Sequence, residues 1–204
     1  MKGSIIYLHG KGGSAEEAGQ YKALFPDSEV IGFGYRSQTP REAKEEFPAF
    51  FVKQREGSGR ITLIANSIGA FFAMSVLDGK LVDRAFFISP IVDMENLIRN
   101  TMLWANVTEI ELAKRGTIPT KFGETLSWDY LRYVRMHPIS WNVPTSILYG
   151  EHDNLTSLET VSAFAEGHHA KLTVMPGGEH WFHTPEQMDF LIEWLEQEKE
   201  TIVC

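Results

Sequence analysis

Short apolar segments alternate with helix-forming segments along most of this chain, and this alternation leaves few folds open. Six apolar segments bounded by turn residues have the length of buried strands: 4–8, 29–33, 60–65, 84–89, 145–149 and 171–175. Helical patterns lie between them, at 15–25, 41–55, 68–77, 155–166 and 185–198. Most strand segments are apolar on both faces, as parallel strands covered by helices are. The sequence therefore predicts an α/β fold with a mostly parallel six-stranded sheet and helices on both faces.

One segment, 93–137, interrupts the alternation. It contains no convincing strand but many large apolar side chains, among them Trp104, Trp128 and Tyr130. A structureless loop of that length is uncommon, so two or three inserted helices are expected. They are either additional packing around the core or a short cap over a site. With this insertion, the 204 residues are expected to form a single domain, 1–204.

The charge and the cysteine content exclude several classes of function. Acidic residues outnumber basic ones by 27 to 19, and the formal net charge is −8. Nucleic acid and anionic lipid both attract cationic surfaces, so neither partner is expected. No apolar run approaches the roughly 18 residues of a membrane span. Cys204 is the only cysteine, which excludes internal disulfides and is typical of a protein in the reducing cytoplasm. No pattern indicates an oligomeric state.

The segment Ala65-Asn66-Ser67-Ile68-Gly69 lies between the third predicted strand and the helix that follows. A serine at a sharp strand-to-helix turn is lifted above the sheet, as in the nucleophile elbow, whose usual pattern is G-x-S-x-G. Small residues two positions before and after the serine let the turn close. The nearby helix N-terminus also favours developing negative charge. The alternative is that Ser67 is an ordinary helix N-cap.

A glycine-rich segment, His9-Gly10-Lys11-Gly12-Gly13-Ser14, directly follows the first predicted strand. Glycines let the backbone approach a ligand, so this loop can contribute an N–H donor to an oxyanion hole. Gly10, Gly12 and Ala15 also match the spacing of a dinucleotide-binding fingerprint, and Arg36 would then contact a 2′-phosphate. A phosphate-binding P-loop is excluded, because no Gly-Lys-Ser/Thr follows at the required spacing.

Two further polar clusters follow the fifth and sixth predicted strands. One is Tyr149-Gly150-Glu151-His152-Asp153 and the other is Pro176-Gly177-Gly178-Glu179-His180. Ligands of open parallel sheets bind beyond the carboxyl ends of the strands, which is where Ser67, Asp153 and His180 all fall. Their order along the chain is the one that this fold type uses. Each residue alone has an ordinary explanation, but together they indicate a catalytic triad.

The segments HGKGGS, ANSIG, YGEHD and GGEHWF resemble those of the α/β-hydrolase superfamily, and the resemblance spans essentially the whole chain. The sequence is similar to small bacterial serine hydrolases of the esterase-like kind. The resemblance implies that Ser67 is the nucleophile, Asp153 the acid and His180 the base. It also implies that the backbone N–H groups of Ile68 and Lys11 form the oxyanion hole.

The sequence departs from the family pattern in three places. Ala65 replaces the first elbow glycine. The antiparallel hairpin that usually precedes the first core strand is expected to be absent, because only residues 1–3 come before it. Lys11 places a charged side chain where an apolar one is common, which leaves the role of that side chain open.

The expected activity is hydrolysis of small acyl esters, with no cofactor and no metal. Trp104, Trp128 and Tyr130 are expected to line a small apolar pocket that favours short to medium acyl chains. Two alternatives are a non-catalytic binding protein with the same fold and a dinucleotide-binding oxidoreductase that uses Gly10-Lys11-Gly12.

Other polar residues near these motifs are interpreted as solvated or structural. His152, His168, His169 and His183 lack the spacing of a metal-ligand set. Glu151 and Glu179 flank the acid and the base and are expected to face solvent. His183 is the competitor for the role of the base, since it follows His180 by three positions.

Overall fold

The structure is a computed structural model that describes residues 3–200. Two compact units make up the chain, one formed by the residues up to Val92 and from Ser140 onward, the other by Asp93–Ile139. Cys204, on which the predicted cytoplasmic location rests, lies outside the described residues.

A six-stranded parallel sheet forms the centre of the first unit. Numbered in chain order, the strands of both units are β1 Ser4–Leu8, β2 Glu29–Gly32, β3 Ile61–Asn66, β4 Arg84–Ile88, β5 Thr117–Pro119, β6 Thr125–Ser127, β7 Thr145–Gly150 and β8 Lys171–Met175. The strands β5 and β6 belong to the second unit and form a separate sheet. The sheet has the order β2-β1-β3-β4-β7-β8, and every neighbouring pair in it is parallel. The predicted fold class and all six predicted strands are confirmed, with bounds that differ by one residue at most.

Every helix predicted for the first unit is present. The helices of both units are the 3₁₀ helix Ala15–Leu24, α1 Pro40–Ser58, α2 Ile68–Val76, α3 Met94–Trp104, α4 Glu109–Arg115, α5 Trp128–Met136, α6 Leu158–Gly167 and α7 Pro185–Glu200. The helices α3, α4 and α5 belong to the second unit. Along residues 3–200, none of them has both the length and the apolar composition needed to cross a lipid bilayer. The 3₁₀ helix packs tightly on β2, where a Cβ on Gly32 would lie 1.9 Å from the Ala15 carbonyl oxygen.

Helices cover both faces of the sheet. On one face, aromatic side chains of α1 and α2 form a cluster in which the Phe47 ring lies 5.1 Å from that of Phe33 and 6.4 Å from that of Phe72. The other face is covered by the 3₁₀ helix and α7, which contribute Tyr21 and Trp194 among others. This two-sided burial explains why the strands are apolar on both faces.

The strand order reverses at β1, because the chain runs from β1 to β2 on one side and then to β3 on the other. Leu8 at the end of β1 is paired with Ala65 of β3, so the segments that follow these strands emerge side by side. In open parallel sheets, ligands bind at the carboxyl edge beside such a reversal.

The second unit contains α3, α4, α5 and the antiparallel hairpin of β5 and β6. The expectation of two or three helices is confirmed, but the expectation that this segment has no strand is wrong. Each hairpin strand has only three residues, with Ile118 and Leu126 buried, which is too short for an alternating pattern. Arg135 on α5 joins the helices, since its guanidinium lies 2.8 Å from Glu95 and 2.6 Å from Glu109.

Candidate active site

Ser67 stands at the turn between β3 and α2 in a backbone conformation that is rare for a non-glycine residue, with φ 51° and ψ −118°. Its N–H donates to the Ile88 carbonyl oxygen at 3.0 Å, and its own carbonyl oxygen accepts from the Ile91 N–H at 3.3 Å. The Ser67 side chain makes no capping hydrogen bond to α2. The interpretation of Ser67 as an ordinary N-cap is therefore wrong, and the strand–turn–helix geometry is that of a nucleophile elbow.

Gly69 lets the elbow lie directly against β1. A Cβ at this position would fall 2.5 Å from the His9 carbonyl oxygen, which is too close for any substituent. Ala65, two positions before Ser67, is fully buried, and its methyl group is accommodated. A glycine is thus required on one side of the elbow, whereas the departure from the family pattern on the other side is tolerated.

His180 reaches Ser67 from the loop that follows β8. Its Nε2 lies 2.8 Å from Ser67 Oγ, although 113 positions separate the two residues in the sequence. The loop turns at Gly177, whose φ of 68° favours glycine. His183 instead has its Nδ1 2.7 Å from the Trp181 carbonyl oxygen. Of the two competing histidines, the structure therefore brings His180 to the serine.

The second imidazole nitrogen of His180 lies 2.7 Å from Oδ2 of Asp153, whose side chain has no exposed surface. Oδ1 of Asp153 accepts from the backbone N–H groups of Leu155 at 2.8 Å and Thr156 at 3.0 Å. Both carboxylate oxygens thus have partners, as a buried carboxylate requires. Burial and the nearby charge of Asp153 raise the pKa of Tyr149 to about 12.

The loop after β7 (residues 150–153, the Asp153 loop) and the loop after β8 (residues 176–180, the His180 loop) are held to each other. The His152 N–H donates to the Gly178 carbonyl oxygen at 2.7 Å. At Gly150 the loops touch so closely that a Cβ would lie 2.7 Å from the Gly178 carbonyl carbon. The distance between Asp153 and His180 is therefore fixed by backbone contacts.

Glu151 adds a side-chain contact between these two loops. Glu151 is exposed, as its interpretation as a solvated residue expects. Its carboxylate also accepts from the Gly177 N–H at 2.8 Å, a contact that the sequence did not predict. The partner is a backbone group that carries no sequence signal. Glu179 is 54% exposed and lies 3.6 Å from Nδ1 of His183, so its interpretation as a solvated residue agrees with the structure.

The glycine-rich segment after β1 forms a tight turn over residues 10–13. The Gly13 N–H donates to the Gly10 carbonyl oxygen at 3.2 Å, and Gly12 has a φ of 78°. A Cβ on Gly10 would lie 3.3 Å from the Cβ of Ser67, so this turn approaches the elbow at the level of the backbone. The following element is a 3₁₀ helix, whereas a dinucleotide fingerprint opens an α-helix, which argues against the cofactor interpretation.

The segment after β2 supports the same turn. The Tyr35 hydroxyl donates to the His9 carbonyl oxygen at 2.6 Å, and the two rings stack with centroids 4.3 Å apart. The Glu46 carboxylate accepts from the backbone N–H groups of Arg36 and Ser37, each at 3.0 Å. Sequence reasoning missed Tyr35 and Glu46 because neither belongs to a motif.

Trp104, Trp128 and Tyr130 all belong to the second unit. Trp104 ends α3 and is 57% exposed, while Trp128 and Tyr130 lie in the first turn of α5 and are half-buried. A cavity of about 310 Å³ in this unit is lined by Arg99, Met102, Leu103, Asn106, Val107, Thr108 and Glu109. Neither the two tryptophans nor Tyr130 is among its lining residues. Their role in binding an acyl group stays a prediction.

The remaining histidines have ordinary surroundings. Nδ1 of His168 lies 2.8 Å from the Trp141 carbonyl oxygen, and His169 lies just after α6 with a φ of 53°. His152 is exposed. In the part of the chain that the structure describes, no three His, Cys, Asp or Glu side chains come together as a candidate metal site.

Comparison with known proteins identifies the fold. No family model matches the sequence, and no curated protein matches it. Est1E from Butyrivibrio proteoclasticus aligns over 98% of this chain and 88% of its own, with a TM-score of 0.76 and 16% identity. Alpha/beta hydrolase domain-containing protein 10 from mouse aligns over 98% and 90%, with a TM-score of 0.71 and 15% identity. The Pyrococcus furiosus esterase Pf2001 aligns over 98% and 81%, with a TM-score of 0.56 and 20% identity. This chain therefore has the α/β-hydrolase fold.

Proposed function

We propose that this protein is a serine hydrolase that cleaves small acyl esters through an acyl-enzyme. The observation that carries the proposal is the continuous line of contacts from Ser67 Oγ to His180 Nε2, at 2.8 Å, and from His180 Nδ1 to Asp153 Oδ2, at 2.7 Å. Some of the proteins of similar fold are esterases, which supports the proposed activity.

In the proposed reaction, Ser67 Oγ attacks the acyl carbonyl carbon while Nε2 of His180 takes the hydroxyl proton. Asp153 holds the imidazole in the tautomer with its proton on Nδ1 and stabilises the imidazolium that forms. The imidazolium then gives its proton to the departing alcohol, which leaves the acyl group on Ser67. A water molecule, deprotonated by the same nitrogen, releases the acid and restores the serine.

The oxyanion is proposed to bind to the backbone N–H groups of Ile68 and Lys11. Ile68 is the first residue of α2, where the helix dipole favours negative charge. Lys11 belongs to the turn that approaches Ser67 through Gly10. A donor of this kind contributes about 3 kcal/mol to transition-state stabilisation in other acyl-transfer enzymes.

A fluorophosphonate probe and a series of p-nitrophenyl acyl esters test the proposal. We expect the wild-type protein to be labelled on Ser67 and to hydrolyse the shorter esters. Ser67→Ala should lose both properties while its free energy of unfolding stays within about 1 kcal/mol of the wild type. His180→Ala should lose turnover, whereas His183→Ala, the matched control on the same loop, should keep it. Turnover retained by Ser67→Ala contradicts the proposal.

The same ester series defines the acyl group. We expect acetate, butyrate and hexanoate esters to be preferred, because the acyl pocket that the sequence predicts is small. Each accommodated methylene is worth up to about 0.8 kcal/mol until the pocket is full. Methyl ferulate belongs in the panel, since ferulic acid is bound to Est1E in one of its structures. A preference for palmitate contradicts the small pocket, and labelling without turnover of any ester redirects the proposal to amides or thioesters.

A further inference from the structure

A second group of polar contacts adjoins the turn at residues 10–13 without belonging to the proposed triad. The Tyr7 hydroxyl donates to Oε2 of Glu17 at 2.5 Å, and Oε1 of Glu17 accepts from the Ser14 N–H at 3.0 Å. The Tyr7 hydroxyl also interacts with the side chain of Asn66, the residue that precedes the nucleophile. The Glu17 carboxylate therefore contacts Tyr7 of β1 and the residue that follows the turn, Ser14. Through Tyr7 it is also connected to Asn66, next to Ser67.

Glu17 lies directly against the backbone of the turn. A Cβ on Gly13 would fall 2.7 Å from Oε1 and 3.1 Å from Oε2, so the carboxylate occupies the space that a side chain would take. The Gly13 N–H closes the turn by donating to the Gly10 carbonyl oxygen, and Gly10 lies against Ser67. A displacement of Glu17 is therefore transmitted through one short turn to the backbone beside the nucleophile.

Tyr7 is held as a hydrogen-bond donor. Its side chain is 1% exposed, and burial, together with the adjacent Glu17 carboxylate, raises the pKa of its hydroxyl. An ordinary capping box needs only the carboxylate at Glu17 and the backbone at Ser14. A buried tyrosine ten positions away is no part of that motif, so the capping box does not account for the contact between Tyr7 and Glu17.

We propose that Tyr7 and Glu17 are positioning residues for the oxyanion hole: they hold the turn at residues 10–13 so that its backbone N–H groups face the developing negative charge. This inference rests on the proposed hydrolase function. Oxyanion donors act only when they are held within about 0.5 Å of the productive geometry. Because three of the four turn residues are glycines, the turn needs an outside contact to hold it.

Tyr7→Phe and Glu17→Gln, alone and combined, test the positioning role. Phenylalanine keeps the ring in the core, and glutamine keeps the size of Glu17 but has only one acceptor oxygen for two donors. We expect kcat for p-nitrophenyl butyrate to fall about tenfold in each single variant, and little further in the double variant. KM should stay within about twofold, because the affected contact forms in the transition state. An alkylboronic acid, whose adduct with Ser67 carries the same negative oxygen, should bind about tenfold more weakly.

Two matched controls separate positioning from stability. Tyr21→Phe alters the ring whose centroid lies 5.4 Å from that of Tyr7. Asp83→Asn removes a carboxylate that accepts from the Ile61 N–H at the amino end of β3, whereas Ser67 follows the carboxyl end of that strand. Both should change stability without changing kcat at a temperature where the protein is folded. If Glu17→Gln fails to fold, Tyr7→Phe alone decides the question.

Wild-type kcat, or wild-type affinity for the boronic acid, in Tyr7→Phe overturns the positioning role while leaving the hydrolase intact. The same holds if kcat falls only in proportion to the folded fraction. A wild-type protein that neither hydrolyses esters nor reacts with the fluorophosphonate overturns the proposed function itself, and the positioning role with it.

Discussion

Ser67 occupies a region of backbone space that costs a non-glycine residue about 1–3 kcal/mol. The hydrogen bonds of its N–H to Ile88 and of its carbonyl oxygen to Ile91 help to offset that cost. Gly69 contributes by allowing the elbow to approach the end of β1. For single residues, the geometry of the candidate site thus depends on backbone fit as well as on its polar side chains.

Gly69→Ala should lower the free energy of unfolding by about 1–3 kcal/mol and reduce kcat, because the added methyl group must displace the His9 carbonyl. Chemical denaturation and ester hydrolysis measure the two effects. Ala65→Gly is the matched control on the other side of the elbow and should keep kcat near that of the wild type. A Gly69→Ala protein as stable and active as the wild type would mean that the elbow and β1 are less closely packed.

Asp153→Asn should reduce kcat by up to about 10⁴-fold, by analogy with other triads, because the amide no longer holds the proton on Nδ1 of His180. The backbone N–H groups of Leu155 and Thr156 can still donate to the amide oxygen, so the loop should keep its conformation. Steady-state kinetics and the melting temperature together check this expectation. A loss of less than about tenfold would point to another carboxylate as the acid.

At the scale of secondary-structure elements, the lengths of the apolar segments decided what could be predicted. The core strands have four to six residues each, which is long enough to show an apolar run between turn residues. The strands of the β5–β6 hairpin have three residues each and show none. The segment 15–25 has the composition of a helix, but its backbone is 3₁₀, and no residue pattern distinguishes the two.

Asp83, just before β4, connects three elements through its carboxylate, which accepts from the Ile61 N–H at 2.7 Å and pairs with Arg55 of α1. Burial alone would raise the pKa of Asp83, but the hydrogen bonds from Arg55 and Ile61 lower it below its usual value. Because the folded pKa is the lower one, the unfolded chain takes up the proton first as the pH falls. The stabilisation is present above about pH 4 and is lost below it.

Asp83→Asn should therefore flatten the dependence of unfolding free energy on pH between about pH 5 and pH 2. The expected effect is below about 1 kcal/mol, because the pair is partly exposed to solvent. Asp27→Asn, an exposed turn residue, is the control that should keep the wild-type slope. Urea titrations at several pH values measure the slope, and an unchanged slope in Asp83→Asn contradicts the expectation.

At the scale of the first unit as a whole, α7 is joined to the sheet by a buried carboxylate. Glu198 is 2% exposed, accepts from the Ser146 hydroxyl of β7 at 2.8 Å and lies 2.5 Å from the Lys171 ammonium of β8. Arg84 of β4 donates to its backbone carbonyl oxygen at 2.9 Å. Glu198 thus links α7 to the amino ends of three strands, whereas the candidate site lies beyond the carboxyl ends of the strands.

Glu198→Ala should lower the free energy of unfolding by about 1–3 kcal/mol, because it leaves the buried Ser146 hydroxyl without its acceptor. Glu196→Ala, an exposed residue on the same helix, should change it by less than about 0.5 kcal/mol. Glu198 contacts the amino ends of β7 and β8, whereas Ser67 follows the carboxyl end of β3, so kcat of the folded Glu198→Ala protein should match that of the wild type. Denaturant midpoints and kcat at low temperature check both statements, and equal midpoints for the two variants contradict the first.

Patterns in the amino-acid sequence were enough to predict the alternation of strands and helices, the parallel sheet and the edge at which Ser67, Asp153 and His180 lie. These follow from local patterns, because the period of apolar residues and the turn residues at strand ends act over a few positions. The chain order of serine, acid and histidine adds to this, since consecutive strand ends in a parallel sheet point to one edge.

Which side chains contact each other depends on the three-dimensional fold. That His180 rather than His183 contacts Ser67, that Glu151 binds the His180 loop and that Tyr7 donates to Glu17 depend on strand order and register. A hydrogen bond forms within about 3 Å and in one direction, whereas hydrophobic periodicity specifies a face and leaves the partner open. For this reason the elements and the edge were predictable from the residues, and the contacts that complete the candidate site were not.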